Sequence, residues 1–152
     1  MKALAKKTAR EVPAAGDPAG LPDLPDLAEL PELPGDVEDV IACLAAAELD
    51  AGRLESARAI LEGMVVASPE EPRGWTLLSR THRRLGQPLA ARFCAEVALR
   101  LAPGDPEARL ARVESLLALP EERAAARGEL ATLGSDGGVG ARARALLGAL
   151  GE

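Results

Sequence analysis

The sequence predicts an all-α protein: a superhelix of about three helical hairpins closed by a C-terminal capping helix and preceded by an extended or disordered N-terminal arm. Three observations carry that expectation. Trp75 and Phe93 are the only aromatic residues and tyrosine is absent, so leucine, alanine and valine must fill the interior, which favours closely packed helices over strands. Glycine and proline interrupt the chain at intervals typical of single helices. The chain also repeats itself at one fixed offset.

The arm comes first. All three lysines fall in the first seven residues, and six of the twelve prolines lie between Pro13 and Pro34. From Glu11 to Asp36 there are seven acids and no base. Prolines at this density prevent a regular helix, and the segment has little β-branched content, so residues 1–35 are expected to form a flexible Pro/Leu/acid-rich arm. Asp36 is a good N-cap for a helix starting at Val37, which opens the folded domain at residues 36–152. Helices then follow through GDVEDVIACLAAAELDAGRL, ESARAILEGMVVASPEEP, RGWTLLSRTHRRLGQPL and AARFCAEVALRLAPGDP, with breaks at Gly52, Pro69 with Pro72, Gly86 with Pro88, and Pro103 with Pro106. A fifth helix is expected from about Pro106 to Leu119 and a sixth from Pro120 to about Leu133. After the turn GSDGGVG, ARARALLGAL is read as the cap.

Composition and charge exclude several function classes. A chain of 152 residues with 47% hydrophobic content can bury a core for one domain. A net charge of −6 without a dense basic block argues against a nucleic-acid partner. No apolar run approaches the roughly 20 residues of a membrane span, and MKALAKKTAREV lacks the apolar core of a secretion signal. A cytoplasmic protein without membrane insertion is expected, and its abundance of alanine and arginine suggests a GC-rich bacterial genome. Cys43 and Cys94 sit far apart in apolar helical contexts, with His82 a partner to neither, so both are expected to be reduced and buried, with no metal site. No phosphate loop or paired nucleophile and base is present, so neither catalytic residues nor a cofactor are expected. His82 is read as a partly buried packing residue.

Setting DAGRLESARAILEGMVVASPEEP above RLGQPLAARFCAEVALRLAPGDP pairs Gly52 with Gly86, Ala57 with Ala91, Pro69 with Pro103 and Pro72 with Pro106, each at an offset of 34. Upstream, Ile41, Leu44 and Ala45 pair with Trp75, Leu78 and Ser79 at the same offset. In this period and in these residues the chain resembles the tetratricopeptide repeat family over residues 37–150. Counted from Pro72, the family's positions 4, 7, 8, 20, 27 and 32 are Trp75, Leu78, Ser79, Ala91, Ala98 and Pro103. Small residues at Ser79, Ala91 and Ala98 let the helices of a hairpin approach closely. Glu48 and Met64 depart from the pattern in the first unit. Arg109 and Arg112 depart from it in the third. Ala143, Leu146, Leu147 and Leu150 supply the apolar stripe of the cap.

The resemblance implies a non-catalytic protein-protein interaction module that holds an extended peptide on a concave face lined by the first helix of each repeat. On that analogy the groove takes Ala42, Ala46 and Leu49 from the first repeat, Arg73, Thr76, Arg80, Arg83 and Arg84 from the second, and Leu110 and Leu117 from the third, with Asp39, Asp50, Glu107 and Glu114 on the same faces. The four arginines are either an ordinary solvated face or a clamp for carboxylates flanked by apolar floors. A narrower resemblance, in residues 51–110 and 141–150, is to the type III secretion chaperones that hold translocator subunits. That family binds a short client segment carrying prolines and a leucine, and several members dimerise through the N-terminal region, so a homodimer is one expected assembly. The groove of that family is commonly rich in tyrosine, whereas this chain has none.

The arm itself carries such a pattern, with Leu24, Pro25, Leu27, Leu30 and Pro31 among acids. Two readings follow: residues 21–34 are a self-docking segment that a client must displace, or an acidic spacer. Two functions stay open as well, a client-holding secretion chaperone and a scaffold or adaptor subunit of a larger bacterial assembly. The basic end Lys2, Lys6, Lys7 and Arg10 is either a contact for an acidic surface or a frayed terminus.

Overall fold

A computed structural model describes residues 36–151, so residues 1–35, including the segment 21–34 read above as self-docking, lie outside the described part. Seven helices occupy this part: α1 Val37–Asp50, α2 Leu54–Ala67, α3 Pro72–Arg84, α4 Pro88–Leu101, α5 Pro106–Leu117, α6 Arg123–Leu133 and α7 Gly140–Gly151. They form three hairpins, α1/α2, α3/α4 and α5/α6, stacked in a tetratricopeptide-type superhelix with α7 on the end. Among the described residues there is no strand, and no helix is long and apolar enough to cross a membrane.

Each boundary has a local cause. The Asp36 side chain accepts the Asp39 amide at 2.7 Å, the expected N-cap. Glu71 and Asp105 cap α3 and α5 in the same way, each followed by a proline at the first helical position. The turns after α1 and α3 each reverse through a glycine in left-handed backbone, Gly52 at φ 77° and Gly86 at φ 74°. The 34-residue spacing of these two glycines is thus a spacing of backbone conformation. The third hairpin has no equivalent: Pro120 lies in the turn and α6 begins only at Arg123, three residues later than expected. Leu119 buries itself against the core there, and the Arg123 guanidinium donates to the Leu117 carbonyl at 3.2 Å, closing the end of α5.

The interior falls into two clusters. One joins Ala42, Ala45, Leu61, Met64, Val65, Leu77, Leu78 and Cys94 across the first two hairpins. The other joins Leu110, Val113, Leu116, Leu130, Leu133 and Ala143, with Leu146, Leu147 and Leu150 of α7 packed against it. Between them, α4 packs against α5, and the two helices bury small side chains, Ala95 and Ala98 on one and Ala108 and Ala111 on the other. Trp75 donates its indole N–H to the Pro69 carbonyl at 2.8 Å and meets Phe93 edge to face with centroids 6.4 Å apart. His82 is half-buried and hydrogen-bonded to Gln87.

One expectation about burial needs correction. Cys94 is buried, as expected, and that burial pushes its thiol pKa up to about 11. Cys43 is exposed. The buried stripe of α1 is Ala42, Ala45 and Leu49, and Cys43 lies off it, with its sulfur 3.7 Å from an Arg73 nitrogen. Leu44 is also exposed, whereas its repeat partner Leu78 is buried, because no described helix precedes α1 to cover it.

The two thiols should therefore separate cleanly in a labelling experiment. A thiol-reactive chromophore at neutral pH is expected to modify Cys43 rapidly in the native protein and Cys94 only when denaturant is added. Replacing the fully buried Leu61 with alanine should cost about 2–5 kcal/mol of stability, read from the denaturant midpoint, because a cavity opens between α2 and its neighbours.

Candidate functional site

The repeat register converts spacing in sequence into rungs across one face. Residues 34 apart on α1, α3 and α5 form these rungs, and α3 touches both α1 and α5. The rung Ala42, Thr76, Leu110 is buried throughout. Ala42 and Leu110, with the buried Leu49, pack the first helices against their neighbours and lie beneath the groove, whereas Thr76, though nearly buried, still borders the cavity on this face. The rung Asp39, Arg73, Glu107 stands along the rim, with Arg73 and Glu107 exposed. Between rim and floor runs the rung Ala46, Arg80, Glu114.

A cavity of about 410 Å³ opens on this face, lined by Ala46, Pro72, Arg73, Thr76, Leu77, Arg80, Asp105 and Glu107. It therefore draws on α1, α3 and the start of α5. Of the residues expected from the sequence to form a groove, the structure gathers Ala46, Arg73, Thr76 and Arg80 here. Leu117 lies further along α5, packed against the C-terminal cluster.

The four arginines of α3 do four different things. Arg73 pairs with Asp39 on α1 at 2.8 Å, one rung to the next. Arg84 donates to the Leu49 carbonyl in the last turn of α1, adding a charged donor to an acceptor that already takes the Gly52 amide at 3.0 Å. Arg83 approaches Glu114 on α5 at 3.3 Å, although Arg83 Nε and Glu114 Oε2 are buried without a well-aligned hydrogen bond. The contact is one of charge, with geometry too poor for a strong bond. Arg80 has no carboxylate within 4.0 Å among the described residues. Burial lowers its pKa, and the like charge of Arg142 lowers it further. An arginine starts so high that it stays a cation at any physiological pH.

Arg142 belongs to α7 and was not foreseen as a site residue. Its guanidinium reaches Glu114 at 2.7 Å and lies 3.9 Å from Glu107. Glu114, with 3% of its side chain exposed, thus receives arginines from α3 and α7. The only sequence signal was the position of Arg142 beside the buried Ala143 of the cap, which fixes its place on α7 without showing its target. Asp105 was also missed. Its carboxylate accepts the Glu107 amide at 3.0 Å, so the cavity-lining acid is engaged as a helix cap. Among the described residues no group of three or more His, Cys, Asp or Glu converges as metal ligands.

Against known proteins, a tetratricopeptide repeat family model matches residues 72–115, the span of α3, α4 and most of α5. No curated protein matches the sequence significantly. Solved structures share the fold. The Yersinia enterocolitica type III secretion translocator chaperone SycD, in an alternative dimer, superposes with a TM-score of 0.64 at 20% identity, covering 78% of this chain and 95% of that one. PcrH from Pseudomonas aeruginosa gives 0.64 at 20% identity, covering 83% of this chain and 100% of its own. PcrH in complex with the chaperone binding region of PopD gives 0.62 at 20% identity, covering 78% and 96%.

Glu114 offers a direct test of this charge arrangement. Glu114→Gln should leave Arg83 and Arg142 without their shared anion. Both arginines keep about a third of their surface in water, so the cost should fall below the about 3–5 kcal/mol of a fully buried pair, at about 1–3 kcal/mol. A urea melt measures the loss.

Proposed function

We propose that this protein is a non-catalytic binding module that holds an extended segment of a partner protein along the face formed by α1, α3 and α5, acting as a secretion chaperone for a translocator-like client. The observation that carries this reading is the cavity on that face, where Arg80, a cation with no carboxylate within 4.0 Å among the described residues, stands beside the apolar surfaces of Ala46, Pro72 and Leu77. Such a surface can take a main chain with alternating apolar and polar side chains, whereas a flat solvated helix face cannot. The shared fold with SycD and PcrH, the latter also in complex with the chaperone binding region of PopD, supports the same use of the face. A soluble cytoplasmic complex with the partner is the expected form of action.

A second reading, as scaffold or adaptor, draws on a different surface. Leu89 and Phe93 on α4 are 69% and 61% exposed and do not line the cavity, so they could seat a folded partner.

The two readings separate in a pull-down from the native bacterium with the intact chain as bait, followed by limited proteolysis of what is retained. A groove-binding chaperone is expected to retain one dominant exported protein and to protect a single short segment of it, with retention abolished by Ala46→Arg. Retention of several folded components, unaffected by Ala46→Arg and lost on Phe93→Ala, would make the protein an adaptor.

A further inference from the structure

We propose that the groove binds an internal aspartate or glutamate of its ligand at Arg80, and that this carboxylate fastens the C-terminal helix α7 to the groove. The inference rests on the groove reading above and specifies the ligand chemistry that the groove selects.

Arg80 makes no ion pair with a carboxylate among the described residues where α3, α5 and α7 meet. Arg83 and Arg142 are the other cations there. Glu107 and Glu114, with Asp50 at the end of α1, are the acids, and they act on Arg80 only at longer range. Glu114 is shared between Arg83 at 3.3 Å and Arg142 at 2.7 Å, and Glu107 lies nearest Arg142 at 3.9 Å. Arg80 is left over. It lines the cavity, is partly withdrawn from water, and stands close enough to Arg142 for the two like charges to act on each other. A partly buried cation loses hydration that distant acids replace only in part, and among the described residues none is within ion-pair reach.

The other groove charges are engaged, which fixes where a ligand acid can go. Arg73 is held by Asp39 at 2.8 Å, Arg84 by the end of α1, and Asp105 by the amide it caps. A carboxylate arriving over the cavity therefore finds in Arg80 a cation with no ion pair among the described residues, and Glu107 repels it from the α5 rim. Ala46, Pro72 and Leu77 give the neighbouring ligand residue an apolar seat. The selected class is an extended segment in which an acid is flanked by aliphatic side chains, bound through its side-chain carboxylate and not through a chain terminus.

The coupling to α7 follows from the same charges. Arg142 pulls α7 toward Glu114, but the Arg80 cation opposes it. A ligand carboxylate at Arg80 offsets that opposition. By reciprocity, removing Arg142 must weaken the ligand, since a cation near Arg80 that also attracts the anion is lost.

The test uses the full chain and three C-terminally amidated synthetic peptides, titrated calorimetrically. The first has the sequence of residues 21–34, with its spaced leucines and acids. The second replaces every acid with its amide, and the third replaces every leucine with serine. The acidic peptide is expected to bind at least about tenfold more tightly than the amide peptide, the effect of one charged hydrogen bond. Arg80→Gln should erase that difference, Arg80→Lys should restore part of it, and Arg142→Gln should reduce it. Hydrogen exchange should show the amides of residues 140–151 slowing when the acidic peptide binds and unchanged with the amide peptide. Equal binding of the acidic and amide peptides, with loss of binding for the serine peptide and on Ala46→Arg, would overturn the inference and leave the groove reading standing. Failure of all three peptides to bind would overturn both. Preferential binding of the acidic peptide unchanged by Arg80→Gln would place the anion site elsewhere and overturn the assignment to Arg80.

Discussion

The Ser79 hydroxyl donates to the Ala91 carbonyl across 2.7 Å, from one helix of the central hairpin to the backbone of the other. That distance is available only because both helices present small side chains where they cross. Ser79 and Ala91 are buried, as is Ala98 one helical stretch further on. The next pair of packed helices, α4 and α5, likewise buries small residues, Ala95, Ala98, Ala108 and Ala111. Close packing at these seams replaces the area that aromatic residues would otherwise bury, since an alanine contact is cheap in side-chain entropy and gains dispersion along the whole backbone. A larger residue at any of these positions would force the helices apart and disturb the curvature on which the inner face depends.

That curvature places residues 34 apart on adjacent helices, and charge then becomes a property of the rung. Asp39 and Arg73 occupy the same repeat position and pair across 2.8 Å. One rung inward, Ala46, Arg80 and Glu114 cannot pair in this way, because alanine has no charge and Glu114 is drawn to Arg83 and Arg142. Arg80 is therefore isolated by its neighbours' identities and not by distance from the other charged residues. The rim is a set of engaged ion pairs, of modest worth where exposed. The middle of the groove is where charge is left over.

The hairpins were legible in the sequence because turn chemistry and periodicity agreed. Gly52 and Gly86 stand in left-handed backbone, which few other residues adopt readily, and the prolines at positions 72, 88 and 106 each open a helix. Where that agreement failed, so did the reading. Pro120 looks like another helix start, but it stands at the repeat position that Gly52 and Gly86 hold in left-handed backbone, and the chain spends three more residues in a turn. Cys43 lies within IACLAAA, a run apolar on every side, so no hydrophobic stripe indicates which face is inward. The groove was legible only in part. Repeat register located the inner face, but it could not tell floor from wall: Ala42 and Leu110 are buried, whereas Ala46 and Arg80 line the cavity. Nor could it show that Arg84 is engaged by the end of α1, because a carbonyl acceptor leaves no trace in side-chain sequence.

The C-terminal helix shows how a cap can also take part in a site. Its apolar residues, Ala143, Leu146, Leu147 and Leu150, cover the exposed end of the second cluster, which is what closing a solenoid requires. Arg142 does not contribute to that task. It points instead to Glu114, a carboxylate that α5 buries almost completely. A buried acid served by Arg83 alone would be held by a misaligned contact, an unfavourable state for a charge removed from water. Arg142 supplies the closer partner, at 2.7 Å, so the ion pairing of the groove and the docking of α7 depend on the same carboxylate. Any ligand that alters the field at Arg80 must therefore alter the balance at Glu114, and through it the hold on the last helix.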